Sequence, residues 1–367
     1  MKKLRRFITQ HGIYFASLAL ALAIFAPLLR LEGRPATINE ELLVSFSRGI
    51  ATVASLRLIV SGLILINLSI VYRLLSAWFA KRRAGLSVLL LVCTPVWLLM
   101  QIAIPRFTLL LTPVLIALWA FDKAGRAKRA TAWYTLAGLG LTAGWLQEPV
   151  GVTVVMVLCS LVLIVVKPRY AKHIARQSSL VLIIMATIVV GLSAASWKFG
   201  LGTEDYLVRQ LSNSVQPVIP YIYVNGSSSF HMGLPGVTLV PLAIAVLAGL
   251  GAWQMFVARK RPRNTFLLIL PLLMGIAAPQ FTGLATLLLF SIAMIGMSIW
   301  AMMGIQYLHT SWKRVFPHNR LANSVGDLMI MIMLASLALY SFWFITKGWN
   351  GNPQVRDEVR IEWNGTL

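Results

Sequence analysis

Runs of roughly 20 consecutive apolar residues recur along the whole of this chain, and a helix of that length crosses a bilayer core. The composition agrees, because 58% of the residues are hydrophobic and only 12% are charged, which is unusual for a soluble domain. The sequence therefore predicts an all-α polytopic membrane protein with about eleven transmembrane helices. The predicted spans are Ile13–Leu31, Ser55–Leu75, Leu86–Ile104, Thr108–Phe121, Ala132–Gln147, Val150–Val166, Ser179–Trp197, Leu234–Val257, Thr265–Pro279, Phe281–Gly304 and Leu328–Thr346.

The net charge of +22 predicts the orientation of these spans and does not indicate a nucleic-acid partner. Basic clusters such as 81–83 and 259–263 fall in alternate connections, whereas nine of the 11 acidic residues fall on the opposite side. Because cytoplasmic loops carry the excess of Lys and Arg, we expect a cytoplasmic N-terminus and an outer C-terminus. The same basic loops predict contact with anionic membrane lipids.

Two predicted outer loops, 32–54 and 198–233, are longer than the other connections. Residues 1–347 are predicted to form one transmembrane module, and 348–367 a short polar outer tail. Neither loop is long enough to bury a core of its own. An active site is therefore expected where the outer loops meet the helix ends.

The outer segment Thr37–Ile50 is predicted to be an interfacial helix. Thr37 and Glu40 have the spacing of a capping box, and the apolar residues that follow share one helical face. Glu40 and Glu41 therefore have two interpretations. They start this helix, or they serve as a general base or metal ligands at the outer face.

Three more residues lie at predicted outer helix ends. Arg57 and Arg106 either extend to the interface or bind a lipid phosphate, to which a guanidinium is well matched. Glu148, in the turn before Pro149, is either a solvated turn residue or a second outer carboxylate. Gly140 and Gly144 precede this turn and predict close helix packing.

Loop 198–233 combines polar and aromatic side chains, among them Arg209, Tyr221 and His231. Such a mixture suits sugar binding, and it equally suits an aromatic belt at the interface. The sequence contains no phosphate-binding glycine loop, HExxH or CxxC motif. No charged residue lies near the middle of a predicted span, which disfavours a coupled transporter.

A series of short motifs follows the first span. It begins with Asn39-Glu40 and with Arg48, nine residues after Asn39 (48 − 39). It continues with Arg57-Leu58, Lys81-Arg82-Arg83-Ala84-Gly85, Thr94-Pro95, Arg106-Phe107-Thr108, Gly140-Leu141 and Gln147-Glu148-Pro149. In this order the motifs resemble the GT-C superfamily of membrane glycosyltransferases, particularly the bacterial relatives of protein O-mannosyltransferases and aminoarabinose transferases.

The resemblance implies a GT-C-like bundle in a bacterial inner membrane. It also implies an enzyme that moves a sugar from a polyprenyl-phosphate donor to an acceptor at the outer face, where the acceptor is a glycan, lipid or protein that the sequence does not identify. Position 39 and its neighbours Glu40 and Glu41 would be catalytic, and Arg57 and Arg106 would bind the donor phosphate. A divalent cation is the one cofactor that the resemblance suggests.

The motifs are degenerate, and the first outer loop is short. Asn39 replaces the expected aspartate base, and an amide does not accept a proton at working pH. Thr108 occupies the position of a second acid, and Gln147 and Gln280 occupy positions of lysines. Two alternatives to a glycosyltransferase therefore stay open: a noncatalytic relative that binds lipid-linked sugar or scaffolds envelope-glycan assembly, and an unrelated transporter.

Overall fold

The computed structural model describes residues 2–29, 53–124, 130–166, 240–281 and 283–349. Within these ranges every secondary-structure element is helical. The helices are α1 (Lys2–Leu29), α2 (Val53–Ser76), α3 (Lys81–Val92), α4 (Pro95–Ala103), α5 (Pro105–Ala124), α6 (Ala130–Trp145), α7 (Pro149–Val166), α8 (Leu242–Val257), α9 (Pro262–Ala277), α10 (Gly283–Val315) and α11 (Arg320–Trp343). A 3₁₀ turn at Ala278–Gln280 follows α9, and a π-helical turn at Phe344–Trp349 follows α11.

The described part of the chain contains five helices that are long and apolar enough to cross a membrane, or six if one bent pair counts as a single span. Each predicted span overlaps a described helix or helix pair, except Ser179–Trp197, which lies outside the described residues. The protein is therefore a multi-pass helical membrane protein, as the sequence predicts. The total of eleven spans and their orientation stay predictions.

The predicted span Leu86–Ile104 is divided into α3 and α4, whose axes differ in direction by 67°. Thr94 between them has an extended backbone, because the ring of Pro95 disfavours the helical conformation in the residue before it. The Thr94 hydroxyl donates a hydrogen bond of 2.9 Å to the carbonyl oxygen of Leu90. The break gives α4 a direction of its own and so determines where α5 begins.

Helix α10 lies at the centre of the bundle and packs against α3, α7, α8 and α9. At its crossing with α8, Gly251 lies against the backbone of Trp300, and Gly304 lies against that of Leu247. A side chain at either glycine would overlap the facing helix. Because lipid tails supply no hydrophobic force between helices, such close packing is a principal source of association in membranes.

Helices α5 and α6 form a similar antiparallel pair. A Cβ built on Gly140 would lie 2.6 Å from the Pro113 carbonyl oxygen, and one on Gly144 would lie 2.8 Å from a methyl carbon of Val114. The predicted close packing of these glycines is confirmed. It holds the end of α6 beside the start of α5, and thereby places the turn that carries Glu148.

Candidate functional site

Four helix ends meet at the level that the sequence predicts to be the outer face: the starts of α5, α7 and α10 and the end of α6. The turn between α6 and α7 is tied to α5 by Gln147, whose Nε2 donates to the carbonyl oxygens of Leu109 (3.4 Å) and Ala143 (3.3 Å). Pro149 then starts α7, where its missing N–H needs no partner. These contacts fix the backbone on both sides of Glu148.

Glu148 is buried at this junction, with only 5% of its surface exposed. The backbone N–H groups of Val150 and Gly151 at the start of α7 lie near enough to its carboxylate to favour the charged form. Within the described segments its Oε1 has no hydrogen-bond partner, although that atom is fully buried. Gly151 packs against α10, since a Cβ there would lie 2.9 Å from Ala285 Cα. The solvated-turn interpretation of Glu148 is therefore wrong.

Arg106, the second residue of α5, is exposed and interacts electrostatically with the Glu148 carboxylate. Burial raises the pKa of Glu148 above its ordinary value, while the two backbone N–H groups and the Arg106 charge oppose that rise. Glu148 therefore keeps its proton to a higher pH than a solvated glutamate. A cation and a carboxyl group with a raised pKa thus share one outer junction, an arrangement suited to binding a phosphate and a sugar hydroxyl.

Arg57 lies in the second turn of α2, the helix that packs alongside α5. It is only 5% exposed, so its guanidinium lies among protein atoms and does not extend into interfacial water. The interpretation of Arg57 as an interfacial anchor is therefore wrong. Burial of a permanently charged group is costly unless other groups compensate for it.

A buried polar cluster supports this region, and sequence reasoning missed it. Asn67 Nδ2 on α2 donates to Gln101 Oε1 on α4 at 2.8 Å, and both side chains are fully buried. Thr108 Oγ1 on α5 donates to the Gln101 carbonyl oxygen at 2.7 Å. The available signal is that Asn67 and Gln101 are amides within apolar runs, a pattern that predicts hydrogen bonds between transmembrane helices. The cluster joins three helices, and its member on α5, Thr108, is two residues after Arg106.

The remaining predicted site residues, Asn39, Glu40, Glu41, Arg209, Tyr221 and His231, lie outside the described residues. No group of three or more His, Cys, Asp or Glu side chains converges in the segments that the structure describes. The carboxylate at the outer junction, Glu148, faces the charge of Arg106, which competes with any cation. The described residues therefore do not fit a divalent cation, and the predicted cation depends on the outer segment that contains Glu40 and Glu41.

Neither a protein-family model nor a curated protein sequence matches this chain. Solved structures do resemble it. The archaeal oligosaccharyltransferase AglB from Archaeoglobus fulgidus, in complex with an inhibitory peptide and a dolichol-phosphate, matches 94% of this chain with a TM-score of 0.59 and 11% identity. ArnT from Cupriavidus metallidurans, bound to undecaprenyl phosphate, matches 95% with a TM-score of 0.58 and 13% identity. This chain has a GT-C fold.

The match covers different shares of the two solved structures. The chain spans 56% of the length of that AglB and 78% of the length of ArnT. Another AglB structure, in the apo form, matches with a TM-score of 0.53. The GT-C resemblance read from the motifs is thus confirmed for the fold, and the low identity agrees with the degenerate motifs.

Proposed function

We propose that this GT-C chain is a glycosyltransferase that moves a sugar from a polyprenyl-phosphate donor to an acceptor at the outer face of a bacterial inner membrane. The observation that carries the proposal is the junction of Arg106 with the buried Glu148 at the outer helix ends. The structural neighbours support it, because AglB and ArnT were solved with a dolichol-phosphate and with undecaprenyl phosphate.

In this proposal Arg106 binds the donor phosphate directly, and Arg57, buried on the neighbouring helix α2, is the second donor-binding arginine that the resemblance implies. A guanidinium presents its N–H donors in a planar fork that matches two phosphate oxygens. Arg106 is exposed at the start of α5, so it can reach a headgroup that enters from the bilayer. The Glu148 carboxyl group, which interacts electrostatically with Arg106, hydrogen-bonds a hydroxyl of the transferred sugar in this proposal.

Glu40, or its neighbour Glu41, acts as the general base in place of the family aspartate, whose position Asn39 occupies. The base removes the proton of the acceptor hydroxyl as that oxygen attacks the anomeric carbon. The bond from the anomeric carbon to the phosphate oxygen then breaks, and polyprenyl phosphate leaves. Arg209, Tyr221 and His231 of loop 198–233 contact the sugar or the acceptor.

The test uses protein purified in neutral detergent with labelled polyprenyl-phosphate sugars and a panel of acceptors. Arg106→Gln is expected to weaken donor binding by roughly 10- to 100-fold, as the loss of a charged hydrogen bond of about 1.5–3 kcal/mol predicts. Arg320→Gln, which also removes an exposed cation, at the start of α11, is the matched control. Equal donor affinity in the two variants would contradict the role of Arg106.

A noncatalytic protein that binds lipid-linked sugar is the second candidate, and two residues favour it. Asn39 lacks a proton-accepting group, and Thr108, at the position of the second acid, is fully buried with its hydroxyl bonded to the Gln101 carbonyl. Donor binding without turnover would support this candidate. Turnover in the wild type that Glu40→Gln abolishes would support the enzyme, and turnover that survives this change would exclude Glu40 as the base.

A further inference from the structure

The opposite end of the bundle carries a cluster of arginines that the proposed function does not use. Arg83 lies in the first turn of α3, and Arg261 and Arg263 lie at the start of α9. We call these three residues the inner arginine cluster, because the sequence predicts this end to be cytoplasmic. Along α5 this end is about 24 Å from Arg106, at 1.5 Å for each of the 16 residues to Asp122 (122 − 106).

The Arg263 guanidinium is held in a defined orientation. Its Nη1 donates a hydrogen bond of 2.7 Å to the carbonyl oxygen of Trp78, in the turn between α2 and α3. Its Cζ lies 4.8 Å from the centre of the buried Phe79 ring, within the range of a cation–π interaction. The Trp78 indole is fixed in turn, since its Nε1 donates to Asp122 Oδ1 at 2.8 Å. Two contacts from the turn between α2 and α3 therefore position this arginine, and Asp122 on α5 supports that turn.

The cluster concentrates positive charge. Arg83 and Arg261 lie close enough to Arg263 to repel it electrostatically, and both are exposed. Their neighbours Lys81, Arg82, Arg259 and Lys260 are exposed as well. The acidic residues in the described segments are Asp122, Glu148 and Asp327. Asp122 faces the Trp78 indole, Glu148 lies at the outer junction, and Asp327 pairs with His309 at 2.8 Å.

Three arginines gather here, and the nearby carboxylate of Asp122 is bonded to the Trp78 indole, so this end presents a positively charged surface that is complementary to a phosphate. We propose that the inner arginine cluster binds the phosphate of an anionic phospholipid headgroup from the inner leaflet. Arginine forks pair with phosphate oxygens, and basic pockets between the cytoplasmic ends of transmembrane helices suit anionic headgroups. Trp78 and Phe266, with ring centres 5.4 Å apart, add an aromatic surface of the kind found at the depth of lipid headgroups.

The test titrates dioctanoyl phosphatidylglycerol, and separately dioctanoyl phosphatidylcholine, into full-length protein in neutral detergent. Binding is measured by native mass spectrometry. The cluster variant is Arg83→Gln/Arg261→Gln/Arg263→Gln. The matched control, Lys313→Gln/Arg314→Gln/Arg320→Gln, removes the same three charges from exposed positions at the α10–α11 connection of the predicted inner face.

The wild type is expected to bind phosphatidylglycerol at least about tenfold more tightly than phosphatidylcholine. The cluster variant is expected to lose about tenfold in this affinity, whereas the control loses less than about threefold, because the cluster places two exposed arginines around Arg263, whose guanidinium has a defined orientation. Equal losses in the two variants would overturn the proposal, since binding would then depend on the charge of the whole face. Competition by inorganic phosphate at equal concentration would also overturn it, because a small anion would then be the ligand.

A second variant guards against misfolding. Arg83→Gln/Arg261→Gln changes two exposed residues and leaves the bond between Arg263 and Trp78 intact. It is expected to lose a part of the affinity that the triple variant loses, at an unchanged melting temperature in the absence of lipid. Full affinity in this variant would contradict the cluster as a binding site. The inference does not depend on the outer site, so its failure would leave the proposed function untouched.

Discussion

Replacing Asn67 with leucine removes the buried hydrogen bond between α2 and α4. The bond is 2.8 Å long, and both of its side chains are fully buried. The change leaves Gln101 Oε1 without this donor in an apolar interior, which costs about 1–3 kcal/mol in soluble proteins. Interhelical hydrogen bonds in membranes average only about 0.6 kcal/mol and reach about 1.7, because polar groups also find partners in the unfolded state. Full burial places this pair near the upper limit, so we expect a loss of about 1–2 kcal/mol.

The partner variant Gln101→Leu is expected to cost more than Asn67→Leu. It removes the same bond, and it also removes the hydrogen bond of 3.2 Å from Gln101 Nε2 to the Trp97 carbonyl oxygen. The double variant replaces two polar groups by apolar ones, so neither partner stays buried and unpaired. Its cost should be close to that of Gln101→Leu alone, which corresponds to a coupling energy of about 1–2 kcal/mol between the two sites.

The assay is reversible unfolding in mixed micelles by titration of a denaturing detergent, followed by helix content. Ser336→Ala is the control, because it removes an exposed hydroxyl bonded only to its own helix and should change the free energy of unfolding by less than about 0.5 kcal/mol. Additive losses in the double variant would refute the reasoning. They would mean that Asn67 and Gln101 do not stabilise the fold through each other.

Three further changes have defined expectations. Gly251→Leu should destabilise the α8–α10 crossing by more than about 3 kcal/mol, because the side chain would overlap the facing helix. Gly249→Ala is the control and should not destabilise the crossing, since its added Cβ meets open space. Equal melting temperatures of the two variants would contradict the close packing. Burial raises the pKa of Glu148, so the protonated side chain stabilises the folded state. This contribution to the free energy of unfolding is fully present below the ordinary glutamate pKa and is lost as pH rises through the raised pKa. As pH rises over that range, the melting temperature of the wild type should therefore fall relative to that of Glu148→Gln. Parallel curves of melting temperature against pH for the two proteins would contradict this expectation. His309→Ala removes an exposed hydrogen bond to Asp327 and should cost less than about 1 kcal/mol in detergent unfolding. A larger loss would show that this contact stabilises the fold more than an exposed pair does.

The helical spans were predictable because hydropathy reports which segments avoid water, and lipid permits few backbone structures. The division of Leu86–Ile104 was less visible, although Thr94-Pro95 carries the local signal for it. An average over about 20 residues records the apolar character of both pieces and not the angle between them. That angle depends on what each piece packs against.

The site residues show the same limit. Glu148 reads in the sequence as a polar residue of a short turn, and its burial follows from contacts that Gly151 makes with Ala285, far along the chain. Its proximity to Arg106 depends on the α5–α6 pair, which brings together residues 42 positions apart (148 − 106). The hydrogen bond between Asn67 and Gln101 likewise joins two polar residues that each lie within an apolar run, so the sequence does not show that they pair.

The sequence alone determined that this chain is a multi-pass helical protein, because a backbone in lipid must satisfy its polar groups within each helix. It also carried enough of the motif order to indicate a GT-C fold, which the structural neighbours confirm. Only the tertiary structure decided that Arg106 and Glu148 share one junction, that Arg57 is buried, and that Arg83, Arg261 and Arg263 gather at the other end. The reason is physical: spans are set by local free energies of transfer into lipid, whereas burial, pKa and charge clustering depend on which helices pack together.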